Sequence, residues 1–150
     1  MLQTVYFFVY GTLKRGQCRE KCWPISPVNV QPAWTFGQLF DLGPYPALVV
    51  KPVPEAHRVA GEVWGFHAQD FGTIATALDR IEGTDQPNQP NEYDRVVLPV
   101  TILPSNHQVL AQAYVYSRAD LLDAIARPVP AELKLEEWAY SLWPVRSSWP

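Results

Sequence analysis

The chain has 150 residues, enough to bury the core of one domain, and 15 of them are proline, about twice the usual share. That much proline argues for many short elements joined by turns and against a helical bundle. A net charge of −3 gives no electrostatic reason to expect nucleic acid, and no apolar run is long enough to cross a membrane.

The start, "MLQTVYFFVYGTLK", does not read as a secretory signal, because it lacks a basic leading segment and its apolar run is short. The expected location is therefore the cytoplasm. Within it, "TVYFFVY" is β-branched and aromatic without a break, the pattern of a buried strand. The next residues, "GTLKRGQC", turn the chain. Gly11 permits a sharp turn, and amides exposed after such a turn can form an anion-binding nest. The interval from Gly11 to Gly16 is that of a phosphate loop, but Gln17 and Cys18 stand where lysine and serine or threonine are required. Nucleotide hydrolysis is disfavoured on that ground, and a smaller anion such as a carboxylate remains. The bland alternative is a plain turn carrying two surface cations, Lys14 and Arg15.

Cys18 and Cys22 follow, four apart in "RGQCREKCW". A structural disulfide does not suit a cytosolic protein. Zinc needs two further ligands, and His57, His67 and His107 are scattered, so no metal is expected. Small semi-buried thiols are the default reading. Further on, "AWTFGQLFDLG" and "YPALVV" read as a strand pair around Gly43 and Pro44, and "HRVAGEVWGF" alternates around Val59, Gly61, Val63 and Gly65 as another strand.

"FGTIATALDRIEG" reads as a helix, with Asp70 placed to cap its start and Gly83 its end. At ~100° per residue, with Phe71 at zero, Ile74, Ala75, Leu78 and Ile81 form one apolar arc, and Glu82 falls inside it near ~20°. Arg80 lies opposite and Asp79 at the arc's edge. Glu82 is thus the one charge the pattern turns inward. It also sits in the last turn, where the helix dipole disfavours a negative charge, so burial and dipole both act to raise its pKa. Two readings stay open here: a proton-transfer carboxylate in a cavity, or a terminal residue that frays outward beside a flexible glycine. A paired-carboxylate hydrolase using Asp79 is disfavoured, because only one of the two acids faces in.

After the turn-rich "TDQPNQPNE" come two more strands, "YDRVVLPVTIL" and "QVLAQAYVYS", then a short helix in "RADLLDAIA". The tail carries Trp138, Trp143 and Trp149, an indole content that packs back onto the body or onto a second subunit in a homo-oligomer. Many strands and two or three short helices, without regular strand–helix alternation, favour an α+β fold with a mixed sheet, open or closed, over a doubly wound one. No linker divides residues 1–150.

"FVYGTLKRGQ", "LDRIEG" and the "YDR" that opens the following strand resemble, in this order and spacing, the gamma-glutamylcyclotransferase-like family, especially its gamma-glutamylaminecyclotransferase branch and bacterial relatives. "YPALV" and "AYVY" also look like family strands. The likeness runs from about residue 5 to 117, and the tail from about 130 lies outside it. "CREKCWP" departs from the pattern of the aminecyclotransferase branch.

The resemblance implies a small mixed β-barrel with a cavity at one end. It implies that Tyr10, Gly11, Thr12 and Leu13 hold the α-amino-acid end of the substrate, largely through backbone amides, and that Glu82 is the catalytic acid–base. The reaction would convert a γ-glutamyl amide to 5-oxoproline and a free amine, with no cofactor and no metal. Tyr93 and Tyr116 are expected to contribute cavity-lining hydroxyls, or else to be core tyrosines. Arg95 either pairs with an acid or faces solvent. The partner expected is a small molecule. Two alternatives use the same cavity: a binding module for an amino acid or γ-glutamyl peptide, without catalysis, and a different γ-glutamyl transfer with another leaving amine.

Overall fold

The computed structural model describes residues 3–50, 57–144 and 149. Residues 145–148 and 150 of the tail are outside that set. β1 (Thr4–Val9) is the unbroken aromatic run. β2 (Asn29–Asp41) starts earlier than its sequence pattern implies and turns into β3 (Pro46–Val49) through Gly43, whose φ is 101°. β4 (His57–His67) is followed by α1 (Phe71–Glu82), then β5 (Tyr93–Ile102) and β6 (His107–Tyr116) as a hairpin. α2 (Ala119–Ile125) leads to β7 (Arg127–Pro128), β8 (Leu133–Leu135) and β9 (Trp138–Ser141).

Five strands close a mixed barrel in the order β2, β5, β6, β1, β4 and back to β2. β1 runs parallel to β6 and the other barrel pairings are antiparallel. This is the α+β barrel with short helices that the sequence led us to expect. Alternate residues of the strands, among them Phe8, Val63, Val100 and Ala111, fill the interior. Phe7 and Phe66 face the other way and pack with Ile74 and Leu78 of α1, which covers the barrel's outside.

β4 does not show the alternating burial its sequence suggests. Every residue from Val59 to Phe66 is buried. The reason is that both faces are covered: the barrel interior takes Val59 and Val63, while Trp64 and Phe66 lie under the α1 cluster and Ala60 under Tyr140 and Leu142. A sheet covered on both faces has no polar side to alternate with.

The described part of the tail packs on the body. β9 pairs in parallel with β4 at Arg58 and Val59, Trp143 is buried with its indole N–H donating to Asp41, and the Trp149 indole donates to the Gly61 carbonyl. Trp138 stays half exposed against Arg58, whose guanidinium lies 3.9 Å from the ring centroids of both Trp138 and Trp34. Among the described residues no helix is long and apolar enough to cross a membrane.

Candidate active site

One cleft gathers most of the residues singled out from the sequence. Tyr10, Gly11, Thr12, Leu13, Glu82 and Tyr93 all line it. It opens where β1 stops. The β1–β4 ladder ends with Val9 opposite Glu62, and the chain then turns away, with the Lys14 amide donating to the Gly11 carbonyl at 3.2 Å. Gly11, Thr12 and Leu13 are buried, and among the described residues their amides have no hydrogen-bond acceptor. All three residues line the cleft, and backbone amides left without an acceptor in a cleft wall are able to bind an anion.

The reason for glycine at position 11 differs from the turn geometry expected. Gly11 is not among the positive-φ residues; Gly16, at 81°, is. A side chain at Gly11 would instead place its Cβ 2.8 Å from both Cγ and Cδ of Pro46 on the opposite wall. Close approach of the two walls, not backbone freedom, requires the missing Cβ.

The loop's two cations are not plain surface charges. The buried Lys14 ammonium donates to the Trp143 carbonyl at 2.6 Å, and burial lowers its pKa to about 8. Arg15 is exposed but pinned to the buried Glu62, through its backbone N–H at 2.8 Å and its Nε at 2.9 Å. The thiols of Cys18 and Cys22 are exposed and free rather than semi-buried. Only a single 3-10 turn, Glu20–Cys22, forms there, so the segment has no helix face to bury them.

Glu82 is the last residue of α1. It does not fray. Gly83 adopts the left-handed conformation, φ 66°, and the amides of Gly83 and Thr84 bond back to Arg80 and Asp79, which closes the helix end. The Thr84 hydroxyl donates to the Tyr93 carbonyl at 2.6 Å, tying that end to β5. At the other end Asp70 occupies the cap position, but its side chain makes no capping bond. Burial raises the Glu82 pKa to about 7; Arg19 opposes the rise and Glu92 adds to it.

The phenols around Glu82 are occupied. Tyr10 donates to the Tyr114 carbonyl at 2.6 Å and accepts from the Leu48 amide; Tyr93 donates to the Pro46 carbonyl at 2.7 Å. Tyr114, which sequence reasoning missed, lines the cleft and donates to Asp79 at 2.6 Å. Burial raises the pKa of all three far above neutrality. They are rigid walls whose protons are already placed. Tyr116 is not among the lining residues: its ring packs edge-on against Tyr93, with centroids 5.4 Å apart.

Asp79 sits deeper than the arc's edge implied. Its carboxylate accepts from Tyr114 and from Arg95 Nε at 3.0 Å, so Arg95 pairs with an acid. The rim adds Arg19, Tyr45 and Glu92, none of them anticipated; the Tyr45 hydroxyl donates to Glu92 at 2.8 Å and that bond raises the Tyr45 pKa. Arg19 falls in the "CREKCWP" departure, which was the available signal for it. Among the described residues no cluster of His, Cys, Asp and Glu could hold a metal ion.

Comparison with known proteins places these features in context. The family model described as gamma-glutamyl cyclotransferase, AIG2-like, matches residues 7–140, well past the last motif recognised in the sequence. An AIG2-like protein from Mus musculus has a similar structure, with a TM-score of 0.58 and 25% identity over 77% of this chain and 78% of that one. A protein from Arabidopsis thaliana gives 0.58 and 24% over 79% of this chain and 65% of that one. A yeast gamma-glutamyl cyclotransferase specific to glutathione gives 0.54 and 11% over 75% and 69%, a likeness of fold alone. No curated protein matches the chain.

Proposed function

The chain belongs to the gamma-glutamyl cyclotransferase, AIG2-like family, and on that premise we propose that it closes the glutamyl group of a γ-glutamyl amide into 5-oxoproline, releasing the amine. The observation that carries this reading is the pairing, in one cleft, of open loop amides with a single carboxyl whose pKa is about 7. A general acid–base works best when its pKa lies near the operating pH.

The amides of Gly11, Thr12 and Leu13 hold the substrate's α-carboxylate. That fixes the glutamyl chain so that its own α-nitrogen faces its γ-carbonyl, an orientation effect that supplies several kcal/mol of barrier reduction. Glu82, as the carboxylate, takes a proton from the α-ammonium. The freed nitrogen pair attacks the γ-carbonyl carbon and a C–N bond forms. As the tetrahedral carbon collapses, the C–N bond to the leaving amine breaks and Glu82 gives its proton to that nitrogen; the carboxylate so restored takes the second proton from the ring nitrogen and passes it to the released amine, which departs as an ammonium. Two protons leave the α-nitrogen and two reach the leaving nitrogen, so protons and electrons balance within the substrate and one carboxyl. The phenols of Tyr10, Tyr93 and Tyr114 keep their protons and shape the cleft.

The test is 5-oxoproline release, measured by mass spectrometry from a panel of γ-glutamyl amino acids, γ-glutamyl amines and glutathione, with wild type and Glu82→Gln. Product from wild type alone supports the reading. A folded wild type that releases none from any member points to the binding module, and ligands that raise its melting temperature would then define what it holds.

A further inference from the structure

We propose that Arg19 reads a carboxylate on the leaving group, so that this cleft selects γ-glutamyl amides whose released amine is itself an acid. The inference rests on the reaction proposed above and adds the class of its second product.

It starts from which cations are satisfied. Arg15 is paired with Glu62, Arg95 with Asp79 and Arg118 with Asp120; Lys14 is bonded to Trp143, and Arg58 lies between two indoles. Arg19 is different. It is partly buried, it lines the cleft, and among the described residues its guanidinium has no hydrogen-bond or ion-pair partner. Its backbone is nonetheless fixed to the substrate loop, with the Arg19 amide donating to the Thr12 carbonyl at 2.8 Å and its carbonyl accepting from Cys22 at 2.9 Å. A guanidinium held in a cleft without a counter-ion is poised for an anion that arrives with the ligand.

Two carboxyls share the cleft but do not fill that role. Glu82 lies outside ion-pair distance and must cycle its proton. Glu92 is exposed and accepts the Tyr45 hydroxyl. The glutamyl α-carboxylate is matched by the three open loop amides. The anion left for Arg19 is therefore one beyond the scissile bond, on the amine that departs. A simple amine would leave the guanidinium unpaired; an amino acid would satisfy it.

The experiment compares γ-glutamyl-alanine with γ-glutamyl-alaninamide, which differ in leaving-group charge and hardly in shape. A charge-assisted contact of this kind is expected to favour the acid by about 10- to 100-fold in kcat/KM, through KM. In Arg19→Met the ratio should fall toward one, and in Arg19→Lys part of it should return. Any effect of Arg19 on Glu82 is common to both substrates, so the ratio isolates the leaving-group contact. No preference in wild type, or equal losses on both substrates in Arg19→Met, overturns the inference. If wild type turns over neither compound, the proposed reaction has failed. The same pair is then compared by thermal shift: tighter, Arg19-dependent binding of the acid upholds the carboxylate site, and equal binding overturns it.

Discussion

Glu82→Gln should stabilise the protein while abolishing its turnover. The folded chain holds the Glu82 proton to about pH 7, against an ordinary value of 4.5, chiefly because burial penalises the charged form. The folded state therefore binds this proton more tightly than the unfolded state does. Stability is fully present below pH 4.5 and is lost as the pH rises through about 7. At about 1.4 kcal/mol per pH unit the full cost is ~3 kcal/mol, and partial exposure of the side chain brings it to ~2 kcal/mol. Glutamine keeps the shape without the charge. At pH 8 the variant should melt about 6 °C higher than wild type, and at about pH 4, below the unfolded value, the two should agree within about 1 °C. Turnover should fall by about 10²- to 10⁴-fold, and wild-type kcat/KM should show an ascending limb with an apparent pKa near 7. Calorimetry at the two pH values and 5-oxoproline release read both arms. A variant that melts at or below wild type at pH 8 would mean that no charge penalty resides at Glu82, and the argument for a poised acid–base would fall with it.

Lys14 gives the opposite pH signature. Its folded pKa of about 8 lies below the ordinary 10.5, so the folded state binds this proton less tightly and stability should rise between pH 8 and 10, by about 1 kcal/mol per unit; urea unfolding should show the rise in wild type and not in Lys14→Met. Gly11→Ala should cost about 1–3 kcal/mol, because its Cβ meets the Pro46 ring at 2.8 Å, and should raise KM as the cleft walls part. Asp79→Ala removes the acceptor of both Arg95 and Tyr114 and should cost about 2 kcal/mol. In a double-mutant cycle with Arg95→Met, the two losses should fall short of additivity by about 1 kcal/mol.

What could be read in advance was whatever depends on local periodicity. The wheel turned Glu82 inward because azimuth on a helix follows from spacing alone, and the strands of the barrel announced themselves by β-branched and aromatic runs. Partners across the fold were beyond that reach. Asp79 looked marginal because its partners, Arg95 and Tyr114, come from strands that the chain forms later. Lys14 looked solvated because its acceptor is a backbone carbonyl 129 residues away. A main-chain oxygen leaves no mark on composition or pattern. Gly11 was read correctly as special and for the wrong reason, since a close contact with Pro46 is invisible until β3 is placed against the loop. The tyrosines divide the same way: cavity hydroxyls were expected at Tyr93 and Tyr116, but Tyr116 does not line the cleft, Tyr114 does, and only the paired walls reveal that the hydroxyls of Tyr10, Tyr93 and Tyr114 are already committed.

The site and the closure of the barrel have one physical cause. β4 needs a partner along its whole edge, but β1 supplies one only as far as Glu62. Further along, at Arg58 and Val59, the edge is taken by β9. Between them the Gly61 carbonyl accepts the Trp149 indole N–H. Because β4 finds other partners, the chain after Val9 is free to leave the ladder without breaking the sheet. The amides of Gly11 to Leu13 are then released from pairing while still buried, a state that costs about 1–3 kcal/mol for each donor left unsatisfied. A fold selected for stability alone would have paired them. They share the cleft with Arg19, whose guanidinium has no hydrogen-bond or ion-pair partner among the described residues, and with the buried carboxyl of Glu82, and on the proposed function the substrate would supply the charged groups that complete this barrel end.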